Sequence, residues 1–198
     1  MPDEPAQDWI QQLTASLEPK LKSATASLLQ QEVELNLQKT GVLDIAEVHD
    51  HVDTMGKVTA IYLPIMGDVV GDIFTFLPDE SANHVVDLMM GNSLGTTKLI
   101  GEFETSALKE FGNITSGVIV TELANSLNIS MILTVPNLAT DMVGALVDQV
   151  LIEYGASGTN LLAIEMQFVV SDHQIDGTFL TLFDQNTSDL IRSKLVTP

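Results

Sequence analysis

Cysteine is absent from the 198 residues. That excludes a cysteine nucleophile and fits a reducing, cytoplasmic setting, where thiols serve catalysis or metals rather than disulfides. Cations are scarce as well. Eight Lys and Arg face 27 Asp and Glu, for a formal net charge of -19. Phosphate backbones and anionic lipid surfaces are held by clustered cations, so neither nucleic acid nor a membrane is an expected partner. A basic protein partner is permitted, and the acidic surface serves solubility or a saline habitat. No apolar run approaches the roughly 18 residues that a membrane span requires. The start, Met1-Pro2-Asp3-Glu4, is acidic where a secretory signal is basic. There is no G-x-S-x-G elbow and no G-x-x-x-x-G-K-[ST] loop. Nor does any Gly/Ser-rich linker divide the chain, so one continuous body over 1–198 is expected. With 45% hydrophobic residues, that body has material for a core.

Spacing then assigns the elements. Trp9, Leu13, Leu17, Leu21, Ala24 and Leu28 recur every three or four residues, a helix over 8–30 that Pro19 kinks or splits. Val33, Leu35 and Leu37 alternate as in a strand. Residues 38–57 are polar and mixed. Val58–Ile65 and Val69–Leu77 read as a hairpin turning at Met66-Gly67-Asp68, followed by a helix from Pro78 to Met90, with Asp79 or Ser81 as its cap. Glu104–Leu127 is a long helix and Asn128–Pro136 a strand. Leu138–Ile152 is a short helix after a turn. Asn160–Val170 and Ile175–Phe183 form a second hairpin, and Asn186–Leu195 a closing helix.

The order repeats. Each half runs helix, strand, hairpin, helix, over about 5–95 and 100–197. Ala60-Ile61 parallels Ala163-Ile164, and Phe74–Asp79 is set against Phe179–Asp184. The expected fold is α+β: a pseudo-two-fold duplicated α-β-β-β-α unit, forming a continuous antiparallel-rich sheet with the long helices packed on it.

One helix carries chemistry. Residues three and four apart share a helical face, and Ser106, Glu110, Asn113 and Gly117 follow that spacing. Leu108, Phe111, Ile114, Thr115 and Val118 take the opposite side. Asn costs some tenths of a kcal/mol mid-helix and Gly about 1 kcal/mol, so two poor helix formers on one exposed face call for a reason. An amide can orient a water molecule, a carboxylate can pair with a cation, and a glycine lets another backbone approach. Spacing alone is a weak argument, because a Glu three residues before an Asn is common.

The longer pattern is specific. Ser106-x3-Glu110-x2-Asn113, with Pro136 after 22 intervening residues, resembles the signature of the CheC/CheX/FliY phosphatases. The segments Ser106–Ile114, Pro78–Gly91 and Val143–Leu151 look like CheC segments in the right order. The resemblance covers nearly the whole chain and is weakest before residue 56. It implies a single CheC-like domain that dephosphorylates a CheY-like response regulator in chemotaxis or another two-component pathway. Asn113 would position the attacking water and Glu110 would pair with a lysine of the partner. The resemblance also implies that Mg2+ belongs to the partner and that no cofactor or metal is bound by this chain. The deamidase CheD is a second candidate partner, and the chain is expected as a monomer or homodimer. The alternative function is a non-catalytic module that sequesters a response regulator or docks such a chemotaxis protein.

CheC proteins often carry one site per repeat. Aligning Leu28-Leu29 with Ser126-Leu127 sets Asp8 at Ser106, Gln12 at Glu110, Ala15 at Asn113 and Gln38 at Pro136. The charge, the amide and the proline are all gone, and no Asn occurs between Met1 and Leu35, so the first site is read as dead. His49-Asp50-His51 with Asp53 has metal-ligand types but no distant His or Cys to complete a set, and reads as a solvated loop.

Overall fold

A computed structural model of the chain describes residues 5–52 and 56–196, and the side chains of 9–48 and 56–195. The first helical stretch is two helices, α1 (Pro5–Ala15) and α2 (Leu17–Leu29), which part at Ser16. Pro19 therefore sits in the first turn of α2. Its missing N–H is one that a helix start leaves without an intrahelical acceptor anyway, so the proline neither kinks nor breaks α2.

Residues 38–57 are more regular than their composition suggests. Strand β1 runs Glu34–Asp44 and helix α3 runs Ile45–Val52, entered through Asp44, whose Oδ1 accepts the Ala46 N–H at 2.8 Å. The His49-Asp50-His51 stretch thus has a helical backbone, not a loop; its side chains and Asp53 lie outside the described residues. The first hairpin is β2 (Lys57–Gly67) with β3 (Gly71–Pro78), leading to α4 (Asp79–Met89). Neither Asp79 nor Ser81 caps α4; the Ser81 hydroxyl donates instead to Asp176 at 3.1 Å.

Helix α5 runs Glu102–Leu127. The strand expected over Asn128–Pro136 is shorter, β4 (Met131–Leu133). A further strand, β5 (Asn137–Met142), takes the place expected for a turn and a helix start, and α6 begins at Val143 and ends at Tyr154. The second hairpin is β6 (Asn160–Val170) with β7 (Ile175–Phe183), and α7 (Gln185–Val196) follows.

The fold is α+β, with one antiparallel sheet in the order β1-β6-β7-β3-β2-β4 and β5 also paired to β2. That order reads the same from either end when the halves are exchanged. Each half lends its first strand to the hairpin of the other. The repeating unit is α-β-α-β-β-α, one helix richer than expected, because α3 and α6 stand between first strand and hairpin. One sheet face carries α1, α2, α4, α5 and α7 over a core that includes Leu21, Leu63, Val85, Phe111, Phe179 and Ile191. The other face carries α3 and α6 over Val58, Phe74, Phe76, Val147, Leu180 and Leu182.

The two faces correct the repeat alignment. Phe74 packs under α3 and α6, whereas Phe179 stacks on Phe111 under α5. Setting one against the other is a one-residue slip, which in a strand moves every side chain to the wrong face. The matching positions are Gly71 with Gly177 and Leu77 with Phe183. Phe183 fills the space that a Cβ at Gly71 would take, and Leu77 with Phe168 fills that at Gly177.

Two glycines of α5 differ in the same way. A Cβ on Gly112 would fall inside the side chain of Ile61 on β2, while around Gly117 the space is open. Ile61 is β-branched, buried and unable to swing aside. Gly112→Ala is expected to destabilise by about 1–2 kcal/mol, overpacking outweighing better helix propensity. Gly117→Ala is expected to stabilise by up to about 1 kcal/mol. Urea unfolding of both variants checks the opposite signs. Among the described residues no helix is long and apolar enough to cross a membrane.

Candidate functional site

Helix α5 is fixed before it displays anything. The Gly101 N–H donates to Glu104 Oε2 at 2.9 Å, and the Thr105 N–H to the Gly101 carbonyl at 2.9 Å. Glu102 and Glu104 in the first turn suit the positive end of the helix dipole. Phe111 packs against Phe168 and Phe179 at centroid distances of 6.0 and 6.3 Å. Near the far end, Lys20 of α2 pairs with Glu122 at 2.6 Å. With Leu108, Phe111, Thr115 and Ile119 turned inward, Ser106, Glu110 and Asn113 face out and are exposed. Ile114 and Val118, expected on the core side, are only half-buried and border a shallow groove with Lys20 and Gly117.

The Ser106 hydroxyl is engaged, donating to the Glu102 carbonyl at 2.9 Å. Among the described residues, neither Glu110 nor Asn113 has a side-chain hydrogen bond or ion pair within the chain. Their polar atoms are free for another molecule.

The opposite wall is a strand irregularity. Ile65 pairs with Leu133, and Tyr62 with Asn137, so β4 and β5 carry one residue more than the β2 stretch they face. This is a β-bulge, opened into the short segment Thr134-Val135-Pro136. Pro136 lacks an N–H, and here the ladder asks for none. The Thr134 N–H still reaches the Pro64 carbonyl at 3.0 Å and fixes the segment to the sheet. Helix and bulge enclose an open depression of about 630 Å3, lined by Ser106, Lys109, Glu110, Asn113, Leu133, Thr134, Val135 and Pro136. All four motif positions therefore meet in one place, although 22 residues separate Asn113 from Pro136 in the chain.

Lys109, Thr134 and Val135 were not singled out from sequence. Lys109 had a signal: it is the only Lys or Arg between Leu99 and Ile191. Thr134 and Val135 had none, because only the bulge brings them to the wall.

The first half has the same frame without the furniture. Helices α2 and α5 end alike, at Leu29 and Leu127, each followed by a left-handed residue, Gln30 (φ 53°) and Asn128 (φ 50°). From these ends, Gln12 and Ala15 occupy the places of Glu110 and Asn113, and both are exposed. Helix α1 stops at Ala15, so the helix breaks where α5 continues. Strand β1 shifts register between Leu37 and Thr40, around Gln38, at the position of the Thr134–Pro136 bulge. Gln38 donates to the Gln167 side chain at 3.3 Å. Asp8 lies on α1, its side chain outside the described set.

A larger depression, about 760 Å3, lies between α2 and the start of β1 and is lined by Lys22, Glu32, Glu34 and Asp172 among others. It contains none of the motif residues. Among the described residues no three metal-ligating side chains cluster.

Three carboxyl groups elsewhere have displaced pKa values; burial raises that of Glu165, against Lys39, which lowers it. Burial pushes Asp72 up to about 6, against hydrogen bonds from Tyr154 and Tyr62 that pull it down, with Glu153 adding to the rise. Asp87 moves the other way. Burial favours its neutral form, but the Thr97 hydroxyl and the N–H groups of Thr97, Thr96 and Gly95 outweigh that and hold it below the usual carboxylate range.

Comparison with known proteins follows these positions. The CheC-like family profile matches residues 103–139, the stretch from the start of α5 through Pro136. The chain is 28% identical over 158 residues to the CheY-P phosphatase CheC of Bacillus subtilis, covering 77% of this chain and 74% of that one. Among solved structures it resembles FliY of Thermotoga maritima, with a TM-score of 0.71 at 14% identity over 98% of this chain and 96% of that one. It also resembles the chemotaxis protein CheX of Desulfovibrio desulfuricans, with a TM-score of 0.56 at 14% identity over 87% and 99%. At such identities the two structural likenesses speak for the fold.

Proposed function

From the match of residues 103–139 to the CheC-like family and the likeness to CheC of Bacillus subtilis, we propose that the chain hydrolyses the phospho-aspartate of a CheY-like response regulator at the Glu110–Asn113 face. The observation that carries this reading is the pair of unengaged side chains, carboxylate and amide, on a helix fixed by its core and walled by the Pro136 bulge. The Asn113 amide enters the partner's site and holds a water in line with the phosphorus. The water oxygen forms the new P–O bond, the bond to the aspartyl oxygen breaks, and carboxylate and inorganic phosphate leave. Little covalent help is needed, so positioning suffices, and an amide positions without titrating. Glu110 pairs with a lysine of the partner and sets the angle of entry. Mg2+ held by the partner would supply charge neutralisation.

The test is the decay of a receiver domain charged with acetyl phosphate, followed with and without this chain. Acceleration on the order of 10- to 100-fold at saturation is expected. Unchanged decay with every regulator of the source organism overturns the reading. Tight binding with unchanged decay replaces it by the sequestering module.

A further inference from the structure

Two large apolar side chains stand in solvent at the entry to α5. Leu99 is 84% exposed and Phe103 80%. Phe103 lies three residues before Ser106 and seven before Glu110, so it continues their helical face. At 1.5 Å per residue it sits about 10 Å from Glu110 and about 15 Å from Asn113 along the axis. Across the depression, Val135 at the tip of the bulge is 78% exposed. An apolar rim thus borders a polar centre on two sides.

The rim is held in place. Asp87 is fully buried at the end of α4, and its carboxylate accepts the N–H of Thr96 at 3.0 Å and of Thr97 at 2.9 Å. The Glu104 carboxylate caps Gly101 from the other side. The segment carrying Leu99 is tied down before and after, and Phe103 is on the first turn of a capped helix. A backbone fixed in advance loses little freedom on binding.

We propose that Leu99, Phe103 and Val135 are the apolar part of the docking surface for the phosphorylated receiver domain, an inference that rests on the phosphatase reading above. Two observations select this occupant. A standard interface covers about 800 Å2 on each partner, a disc of about 16 Å radius. Centred between Glu110 and Asn113, that disc takes in Phe103 and Val135. The second is charge. The phosphoryl group brings about two negative charges towards a chain of net charge -19. The phosphoryl charge itself gains nothing from so acidic a chain, and apolar contact beside the site supplies affinity that does not depend on it.

The experiment titrates full-length chain against a receiver domain held in its phosphorylated state by beryllofluoride and Mg2+, and measures turnover in parallel. Phe103→Ser is expected to weaken binding about 10-fold or more and to raise the partner concentration needed for half-maximal turnover by a similar factor. Ile152→Ser is the control, since Ile152 is 78% exposed on α6 on the opposite sheet face; it should bind as wild type. With Phe103 so exposed, circular dichroism should show both variants folded. Phe103→Ser binding within twofold of wild type, while Asn113→Ala still loses turnover, overturns the docking surface and leaves the phosphatase reading standing. Asn113→Ala that keeps turnover overturns the reading beneath it. A concentration-dependent dimer in light scattering that Phe103→Ser dissolves gives the face to a second copy and overturns the inference too.

Discussion

If the chain hydrolyses a phosphorylated regulator as proposed, Asn113→Ala is expected to lower the accelerated loss of the phosphoryl group by about 100-fold, with little change in the affinity for the regulator. The size follows from the role. An amide that holds a water in line contributes orientation, and losing it returns the step to an unaided encounter with solvent. The alternative explanation, a damaged helix, can be dismissed in advance. Asn113 is exposed and makes no side-chain bond within the chain, and Ala is the better helix former by some tenths of a kcal/mol. The variant should therefore melt at or slightly above the wild-type temperature. Glu110→Gln behaves differently, since it keeps shape and loses charge. Its effect should fall on binding, by a few-fold to 10-fold, in keeping with a partly solvated ion pair. Asn113→Asp should be worse than Asn113→Ala, because it sets a negative charge beside the phosphoryl oxygens. Turnover by Asn113→Ala within threefold of wild type would remove the assignment. A split of the kind described, turnover lost at Asn113 and affinity lost at Glu110, separates a positioning amide from a docking carboxylate.

Much of this site was legible because its parts are local or marked by fixed spacing. Ser106, Glu110 and Asn113 fall on one helical face by arithmetic, and Pro136 was matched through the resemblance to the family signature. The two hairpins were legible from alternation. Strand β1 was not. After Leu37 it runs as an edge strand, exposed or half-buried along its length, so no side alternates and only pairing with β6 makes it a strand. Strand β5 escaped for the same reason, being exposed at almost every position and held by β2 alone. The slip between Phe74 and Phe179 has another cause. Matching aromatic residues and a following Asp suggested identity, but which face a strand residue takes depends on the hairpin turn before it, and the two turns differ in length. The helix ends, by contrast, gave the same repeat offset in sequence and structure.

The second large effect lies across the sheet, at Asp72. Its carboxyl is 6% exposed and accepts the Tyr154 hydroxyl at 2.6 Å, the same hydroxyl lying 3.1 Å from the Leu182 carbonyl. This contact pins the end of α6 to β3 and β7. Burial sets the acid's pKa at about 6, against an ordinary value of 3.8. The folded state therefore keeps a proton between about pH 4 and 6 that the unfolded chain has already released. Stability is highest below that window, declines as pH rises through it, and above it carries the full cost of a buried charge. Two pH steps at about 1.4 kcal/mol each come to about 2–3 kcal/mol. Asp72→Asn keeps an acceptor for Tyr154 and cannot ionise, and its amide N–H faces a depression of about 560 Å3 shared with Tyr62 and Glu153. The variant should thus be more stable than wild type at pH 7.5, melting about 4–8 °C higher. The advantage should shrink through pH 6 and 5 and vanish near pH 4. Asp87 contributes the opposite trend, losing stability as pH falls, but both proteins carry it and the difference cancels. A gain independent of pH, or a loss at pH 7.5, would show that the Asp72 carboxylate is stabilised where it lies. The helix it anchors is on the far side of the sheet from Asn113, so turnover should be unchanged, which separates this acid's part in holding the fold from the chemistry at α5.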